Sequence, residues 1–278
     1  MSDIHPTTPD AADRADSPRS STLPAVFVGH GSPMNTLDDN RYTRAWREFG
    51  RTGPRPSAIL AISAHWYVNA TAVTAMPDPK TIHDFYGFPD ELFAVRYDAP
   101  GSPQLAGEVA ELVKPTWVGL DADSWGIDHG TWSVLAHMYP DADIPVVQLS
   151  IDASKPADHH VTLGAALEPL RRRGVLILAS GNVVHNLRQV QWHQPDAAFD
   201  WTREFDDAAR ELIAERPGDV AELTRHRHHA LAAPTPDHLL PLFYLAGIAA
   251  AADAPATPFV EGYAMGSLSM TGYTVPGG

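Results

Sequence analysis

The chain has 278 residues, of which 44% are hydrophobic, and a formal net charge of -14 at pH 7. Its 34 acidic and 20 basic residues argue against a nucleic-acid partner, which normally requires clustered Lys and Arg, and favour a small-molecule ligand. The absence of cysteine excludes disulfides, thiolate nucleophiles and Cys-type zinc sites, so any bound metal must use His, Asp or Glu.

The first 22 residues, MSDIHPTTPDAADRADSPRSST, are rich in Asp, Ser, Thr and Pro and contain no apolar segment. This composition is typical of neither a signal peptide nor a membrane anchor, and it predicts a disordered tail over residues 1–22. No segment approaches the roughly 18 consecutive apolar residues of a membrane helix, so we expect a cytoplasmic protein without a membrane partner. Residues 23–278 are predicted to form one domain, because no repeat or low-complexity linker divides them.

Beyond the tail, short apolar runs rich in Val and Ile alternate with longer amphipathic stretches. The predicted strands are AVFVG (25–29), AILAISA (58–64), TAVTAM (71–76), IPVVQLSI (144–151) and GVLILAS (174–180). The predicted helices are 102–113, 155–174, 201–219 and 235–253. Unbroken apolar strands suit a sheet that is covered on both faces. The pattern therefore predicts a single-domain α/β fold, with a central, mostly parallel or mixed sheet and helices on both faces.

Three of the 14 histidines follow apolar strands: His30 follows AVFVG, His65 follows AILAISA, and His185 comes shortly after GVLILAS. Any one of them alone is better interpreted as a hydrogen-bonded structural residue. In open α/β sheets, however, ligands bind beyond the carboxyl ends of the strands, where these three histidines would meet. Together they indicate a site at one edge of the sheet.

Further histidines are candidates for the same site. His238, in PTPDHLL, lies at a stiff entry to an apolar helix and suits a structural role and a ligand role equally well. His129, in WGIDHGTW, is predicted on a loop where the neighbouring glycine allows close approach. His83, in TIHDFYGFPDELF, lies on an aromatic loop long enough to wall a pocket. The remaining histidines, among them His137, His160 and those of RHRHH (225–229), are interpreted as ordinary helix or surface residues, as is the basic run RRRG (171–174).

Histidines gathered from distant parts of a chain without cysteine suit a borderline divalent metal such as Zn, Fe, Cu or Ni. Three protein ligands with open positions form a catalytic arrangement. No G-x-S-x-G elbow, Walker loop or G-x-G-x-x-G motif supports serine or nucleotide chemistry. The residues alone thus predict an α/β metalloenzyme and leave both hydrolysis and oxygen chemistry open.

Eight segments, several of them long and unusual, run in order along the chain: GHGSPMN (29–35), SAHW (63–66), TIHDFYGFP (81–89), WGIDHGTW (125–132), YPDADIPVVQLSID (139–152), ASGNVVHNLR (179–188), PTPDHLLPL (234–242) and MGSLSM (265–270). At these segments the sequence resembles the bacterial 4,5-DOPA extradiol dioxygenase family. This family is part of the class III (LigB-type) extradiol ring-cleaving dioxygenases. Only the N-terminal tail lies outside the resemblance, which implies a LigB-type catalytic domain over residues 23–278.

The resemblance implies that His30, His65 and His238 bind the metal. It implies that His185 is either the catalytic acid/base or a fourth ligand, and that His129 faces the same pocket as the second candidate for proton transfer. The wider class holds iron with two histidines and a glutamate, so His238 at the third position is a departure. Fe(II) is expected for activity, and Zn(II) is a possible bound metal.

The implied reaction is the O2-dependent 4,5-cleavage of a catechol such as L-DOPA, which opens the ring beside its two hydroxyls and gives a seco-DOPA type product. His83 and Asp128 are predicted on the substrate side, with Asp128 orienting His129. Gly29 and Gly31 are expected to let the chain bend at His30 without crowding the catechol. A zinc-dependent hydrolase using the same histidines and a non-catalytic metal-binding protein are the alternatives. The oligomeric state is left open.

Overall fold

The computed structural model describes residues 22–278, so the predicted tail lies outside the described residues except for Thr22. The strands in this range are β1 (Ala25–Gly29), β2 (Ala58–Val68), β3 (Ala72–Thr74), β4 (Gly119–Asp121), β5 (Val146–Asp152), β6 (Val175–Gly181), β7 (Thr257–Val260), β8 (Tyr263–Ala264), β9 (Leu268–Ser269) and β10 (Gly272–Val275). The α-helices are α1 (Arg41–Thr52), α2 (Asp90–Phe93), α3 (Pro103–Leu112), α4 (His129–Met138), α5 (Ala157–Leu167), α6 (Asp200–Glu215), α7 (His229–Ala232) and α8 (Leu240–Ala251). The 3-10 helices span Pro33–Thr36, Glu168–Arg173, Leu187–Gln189 and Pro217–Arg225.

Eight of these strands form one mixed sheet in the order β4-β3-β5-β2-β6-β1-β10-β7. The central strands β5, β2, β6 and β1 are parallel. Antiparallel pairing occurs toward the two sides, between β3 and β5, between β1 and β10, and between β10 and β7. The predicted α/β class with a mixed central sheet is confirmed. The parallel centre places the carboxyl ends of β1, β2, β5 and β6 at one edge.

The sheet is buried on both faces because side chains alternate along each strand. Ala25 and Phe27 of β1 pack in the core that contains residues of α3, α5, α6 and α8. Val26 and Val28 pack in the opposite core, with residues of α1 and α4. Burying one such aliphatic or aromatic side chain stabilises the fold by about 1.5–3 kcal/mol. The unbroken apolar runs of the sequence thus correspond to strands covered on both sides, as predicted.

Several predicted boundaries differ from those of the structure. The strand predicted over 58–64 continues as β2 to Val68, because it pairs with β5 again at Tyr67 after an irregularity that begins at Ile62. His65 therefore lies within the strand, beside this irregularity, and the expectation that it follows the strand is wrong. The helix predicted over 201–219 ends as α6 at Glu215, just before Pro217, which has no N–H to continue the α-helical ladder.

Two residues interpreted as solvent-facing are buried. Arg171 of the RRRG run is 2% exposed, and its guanidinium donates to the carbonyls of Leu23 and Pro276. His160 is fully buried, with Nδ1 3.0 Å from the hydroxyl of Tyr244. These hydrogen bonds join residues that are far apart in the sequence, which local polarity does not reveal. Across residues 22–278, the helices lack the combination of length and apolar character needed to traverse a bilayer.

Candidate metal centre

The histidines predicted at the strand ends converge at the carboxyl edge of the parallel strands. The ring centroids of His30, His65 and His238 are 5.1–5.3 Å apart. One ligand atom from each of these three residues can be chosen so that all three atoms lie within 4.8 Å of one another. His30 and His238 are buried and His65 is partly exposed. The geometry is that of a possible three-imidazole metal centre.

Each ring of this set has its Nδ1 beside an acceptor. Nδ1 of His30 lies 2.9 Å from the Ser180 hydroxyl, which donates its own hydrogen to the carbonyl of Gly130 and so accepts from the ring. The other two rings bond carboxylates, His65 that of Asp84 at 3.0 Å and His238 that of Asp237. Hydrogen bonds of this kind fix the tautomer and leave Nε2 as the metal-binding atom. Consistent with this assignment, the Nε2 atoms of His30 and His65 lie 3.2 Å apart.

The electrostatics of these rings follow from burial and from their neighbours. Burial and the surrounding imidazoles hold the pKa of His30 well below its ordinary value. Burial also lowers the pKa of His238 to about 4, although Asp237 opposes this shift. Burial alone would lower the pKa of His65, but the hydrogen bond to Asp84 and nearby carboxylates raise it. His30 and His238 are thus neutral near pH 7, the form in which imidazole binds a metal.

The donor set fits a borderline divalent metal. It offers three imidazole nitrogens without sulfur, and the hydrogen bond at each Nδ1 leaves an Nε2 lone pair toward the shared centre. Imidazole ligands suit Zn, Fe, Cu and Ni, whereas Mg and Ca prefer oxygen. Three protein donors also leave coordination positions for other ligands. The arrangement therefore has the chemistry of a metal site that could bind a substrate.

The turn that presents His30 is fixed by the residues around it. Gly31 has a φ of 63°, a left-handed conformation that favours glycine. The Asn35 side chain donates to the His30 carbonyl at 2.9 Å, and the Gly31 N–H donates to Asn182 Oδ1 at 3.2 Å. A Cβ at Gly29 would lie 2.8 Å from a backbone atom of Met270. The tight bend predicted here is present. Position 29 requires glycine because the backbone at Met270 leaves no space for a side chain.

His129 is the first residue of α4, so its predicted loop position is wrong. Asp128 is the N-cap of this helix and accepts the Thr131 N–H. Its carboxylate also accepts from Ser63 and Gln148, and its side chain is fully buried. Asp128 therefore lies beneath the site with its oxygens bonded to protein groups. The predicted orientation of His129 by Asp128 is replaced by one through Asp84.

Asp84 is the residue that sequence reasoning misses. Its Oδ1 lies 2.8 Å from Nδ1 of His129, and its Oδ2 lies 3.0 Å from Nδ1 of His65. Burial would raise the pKa of this carboxyl, but the hydrogen bonds from the two histidines hold it well below its usual range. The one local signal is its place beside His83 in the aromatic loop. Both contacts form only when that loop packs against β2 and α4.

The aromatic loop around His83 walls one side of the centre. Nε2 of His83 lies 2.9 Å from the Val95 carbonyl, and its ring packs against Phe85 and Trp132. The Phe85 ring meets the His129 ring edge-on, with 5.4 Å between centroids. His83 therefore supports the wall from behind, and Phe85 is the aromatic side chain that reaches the histidines.

His185 and His129 flank the three-histidine set on different sides. The His185 ring is stacked parallel to that of His238, with centroids 3.5 Å apart. The His129 ring lies 3.9 Å from that of His65. Burial and the neighbouring His238 hold the pKa of His185 well below its ordinary value. The structure thus brings all five predicted histidines together.

Comparisons with known proteins match this architecture. The family model "Catalytic LigB subunit of aromatic ring-opening dioxygenase" matches residues 23–270. A 4,5-DOPA dioxygenase extradiol of Escherichia coli (strain K12) is 51% identical over 255 residues, which cover 90% of this chain and 94% of that protein. A 4,5-DOPA dioxygenase extradiol of Beta vulgaris is 37% identical over 235 residues, which cover 80% of this chain and 85% of that protein.

A solved structure shows the same fold. It is a crystal structure of an uncharacterized protein from Escherichia coli K12, with a TM-score of 0.80 and 46% sequence identity, and the match covers 91% of this chain and 100% of that chain. The family match includes every histidine of the centre. The chain therefore belongs to the LigB family of aromatic ring-opening dioxygenases and is a metal-dependent extradiol dioxygenase.

Proposed function

We propose that this enzyme opens the ring of a small catechol with O2 by 4,5-cleavage, that L-DOPA is a substrate, and that Fe(II) is the active metal, held by His30, His65 and His238. The observation that carries the metal assignment is the convergence of three imidazole ligand atoms within 4.8 Å, each ring being held at Nδ1. The substrate assignment rests on the names of the similar proteins from bacteria and plants. The product is a seco-DOPA type compound.

Fe(II) at this centre would supply open coordination positions and the electron transfer that lets a spin-paired catechol react with O2. The all-imidazole donor set also suits Zn(II), so a purified sample is expected to contain zinc in part. The protein's own contribution is to hold three imidazole rings in fixed tautomers. Ser180, Asp84 and Asp237 provide this support from outside the centre.

The aromatic wall gives the catechol ring a place to lie. Phe85 reaches the histidines from one side, and Trp132 fixes the loop behind it by donating its indole N–H to the Ile82 carbonyl at 2.8 Å. A planar aromatic substrate can pack against the Phe85 ring and exclude water from the reacting carbons. This wall orients the ring while its hydroxyls face the histidines.

We assign proton transfer first to His185 and second to His129. The His185 ring lies against the ligand His238, and its lowered pKa keeps it unprotonated near pH 7, the form that an imidazole base needs before it takes a proton from a catechol hydroxyl. Its parallel stack on His238 fixes the plane of the ring beside the metal ligands. His129 has Nδ1 bound to Asp84, which leaves Nε2 to exchange a proton on the opposite side.

The test is to prepare metal-free protein, load it under argon with Fe(II) or with Zn(II), and measure O2 uptake and the yellow ring-opened product with L-DOPA and other catechols. The Fe(II) form should consume O2 with L-DOPA and the Zn(II) form should not. His185→Gln should lower kcat by about 10²–10⁴-fold while it keeps its metal. His193→Gln, an exposed histidine, is the matched control.

Two results would contradict this proposal. Fe(II)-loaded protein that leaves every catechol of the panel unchanged would remove the substrate assignment. Turnover that continues without oxygen would indicate metal-dependent hydrolysis at the same histidines instead. A His185→Gln variant with unchanged kcat would remove only the role of His185.

A further inference from the structure

The carboxylate of Asp84 joins two histidines that have different tasks in the proposed function. Its Oδ2 bonds Nδ1 of the ligand His65 at 3.0 Å, and its Oδ1 bonds Nδ1 of His129 at 2.8 Å. The same Oδ1 accepts the backbone N–H of His129 at 3.1 Å, which ties the carboxylate to the first turn of α4. We propose that Asp84 is a positioning residue that couples metal binding to proton transfer, by setting the tautomer and ring plane of both histidines at once.

The tautomers follow from the chemistry of the acceptor. An ionised carboxylate only accepts hydrogen bonds, so each Nδ1 that faces it must carry the hydrogen. Both rings then have an unprotonated Nε2 when they are neutral. For His65 this atom faces Nε2 of His30 at 3.2 Å, where the metal would bind. For His129 it is the atom left to accept or return a proton.

The other two ligands are held differently. His30 is supported by the Ser180 hydroxyl and His238 by the carboxylate of Asp237, its neighbour in the chain. In each case one acceptor holds one ligand. Asp84 instead fixes a ligand and a flanking histidine whose ring centroids are 3.9 Å apart. A change at Asp84 should therefore affect two measurable properties, and a change at Asp237 mainly one.

This inference rests on the proposed roles of His65 and His129, and metal binding and tautomers can be measured without turnover. The variant is Asp84→Asn, which has the same shape but one acceptor oxygen, and the matched control is Asp237→Asn. Affinity for Co(II) and Zn(II) is measured by chelator competition. The tautomers are read from 15N NMR of the histidine rings in the Zn(II) form, and kcat and KM are measured at saturating Fe(II).

Both variants should lose metal affinity by about 10–100-fold, the usual cost of removing the partner of a ligating histidine. At saturating Fe(II), Asp84→Asn should in addition lower kcat by about 10–100-fold with a smaller change in KM, and more than Asp237→Asn does. Because Asn has one acceptor oxygen, Asp84→Asn should lose the Nδ1–H signal of either His129 or His65. In Asp237→Asn the Nδ1–H signals of both His129 and His65 should persist. Asp84→Glu keeps the carboxylate and should restore both signals in part, and it replaces Asn if that variant does not fold.

A double-mutant cycle tests whether Asp84 acts through His129. In a His129→Gln background, Asp84→Asn should still weaken metal binding but lower kcat no further. Fully additive losses in kcat would overturn the coupling, as would an Asp84→Asn variant with unchanged tautomers and wild-type kcat. The coupling would also be overturned if wild type bound a second equivalent of Zn(II) that both Asp84→Asn and His129→Gln lost. His65, Asp84 and His129 would then be the ligands of a second metal ion. An enzyme inactive on catechols would fail the proposed function while leaving the affinity and NMR results interpretable.

Discussion

Two histidine-rich regions of this protein have similar side chains and different surroundings. At the metal centre, histidine rings from five separate parts of the chain meet, and Ser180, Asp84 and Asp237 hold the ligand rings at Nδ1. In the tract over residues 225–229, three histidines lie close together in the sequence. His228 bonds Glu204, which also pairs with Arg227, and Nδ1 of His226 accepts the His228 N–H.

The difference shows what makes histidines a metal site. The ring centroids of His226 and His228 are 5.5 Å apart, only slightly farther than the 5.1–5.3 Å of the three ligand rings at the metal centre. Yet within residues 22–278 no group of three ligand atoms forms in the tract. In the tract, His228 bonds Glu204, and the His226 and His229 rings pack beside Phe205. At the metal centre, by contrast, the rings meet one another at the carboxyl edge of the sheet. Convergence and support at Nδ1 matter more than the density of histidine.

The largest effect should come from removing a ligand. His238→Ala should lower the affinity for Zn(II) and Fe(II) by more than about 100-fold, because losing a ligand costs more than losing the hydrogen-bond partner of a ligand. The rate of ring cleavage should fall with the metal content. Chelator competition and O2 uptake measure the two effects. His228→Ala is the matched change in the tract. If both variants bound metal equally well, the distinction between the two regions would fail.

A smaller effect should follow from crowding the centre without changing a ligand. A Cβ at Gly130 would lie 2.6 Å from Ser63 Oγ and 2.8 Å from Cδ2 of His65. Gly130→Ala should therefore destabilise the fold by about 1–3 kcal/mol and also weaken metal binding. Denaturant unfolding of the Zn(II) form measures the first. The control is Gly107→Ala in α3, where a Cβ meets nothing within 4 Å and should stabilise the helix by about 0.5–1 kcal/mol.

His160 is a buried histidine that lies outside the metal centre, so it shows the effect of burial without metal binding. Burial lowers its pKa to about 4 from 6.5. The unfolded chain therefore takes up a proton before the folded chain does as the pH falls, and this residue's contribution to stability decreases from pH 6.5 toward 4. By pH 5 the loss should be about 2 kcal/mol relative to pH 7.5.

The test for His160 compares the free energy of unfolding of wild type and His160→Gln at pH 7.5 and pH 5, both with saturating Zn(II). The variant is expected to be less stable at pH 7.5, and the difference should shrink at pH 5. Equal pH dependence in the two proteins would show that His160 is not the titrating group. Metal content should be unchanged.

The smallest effect is expected in the tract itself. Replacing His226, His228 and His229 together with Gln should leave metal stoichiometry unchanged and lower Tm only slightly, because the ion pairs of Glu204 are exposed to solvent. Metal analysis and thermal unfolding are the measurements. Loss of a metal equivalent in this triple variant would show that the tract binds metal after all.

Much of the site could be predicted because its histidines follow strong local signals. The apolar runs ending at Gly29 and Ser180 predicted strands within one residue of β1 and β6. Their carboxyl ends locate a ligand site in any open α/β sheet. Local sequence made His238 and His129 candidates, and the resemblance to a known family then implied a ligand role for His238 and a pocket-facing position for His129. The individual roles of these residues stay predictions until the variants are measured.

The rest could not be predicted, because it depends on contacts between distant parts of the chain. Asp84 meets His129, which lies 45 residues away, only after the aromatic loop has packed on α4. Asp128 is adjacent to His129 in sequence, yet it caps the helix and points to Ser63. Arg171 looks solvated until Leu23 and Pro276 supply its acceptors.

The sequence by itself determined the central strands, the α/β class and the histidines that follow β1 and β6, His30 and His185, because hydrophobic periodicity and strand direction are properties of short segments. Only the tertiary structure decided which polar groups hold those histidines and which tautomers they adopt. A hydrogen bond to a ring requires an acceptor within about 3 Å, and that distance is set by packing between elements. The link that Asp84 makes between His65 and His129 depends on such packing, and the sequence alone did not predict it.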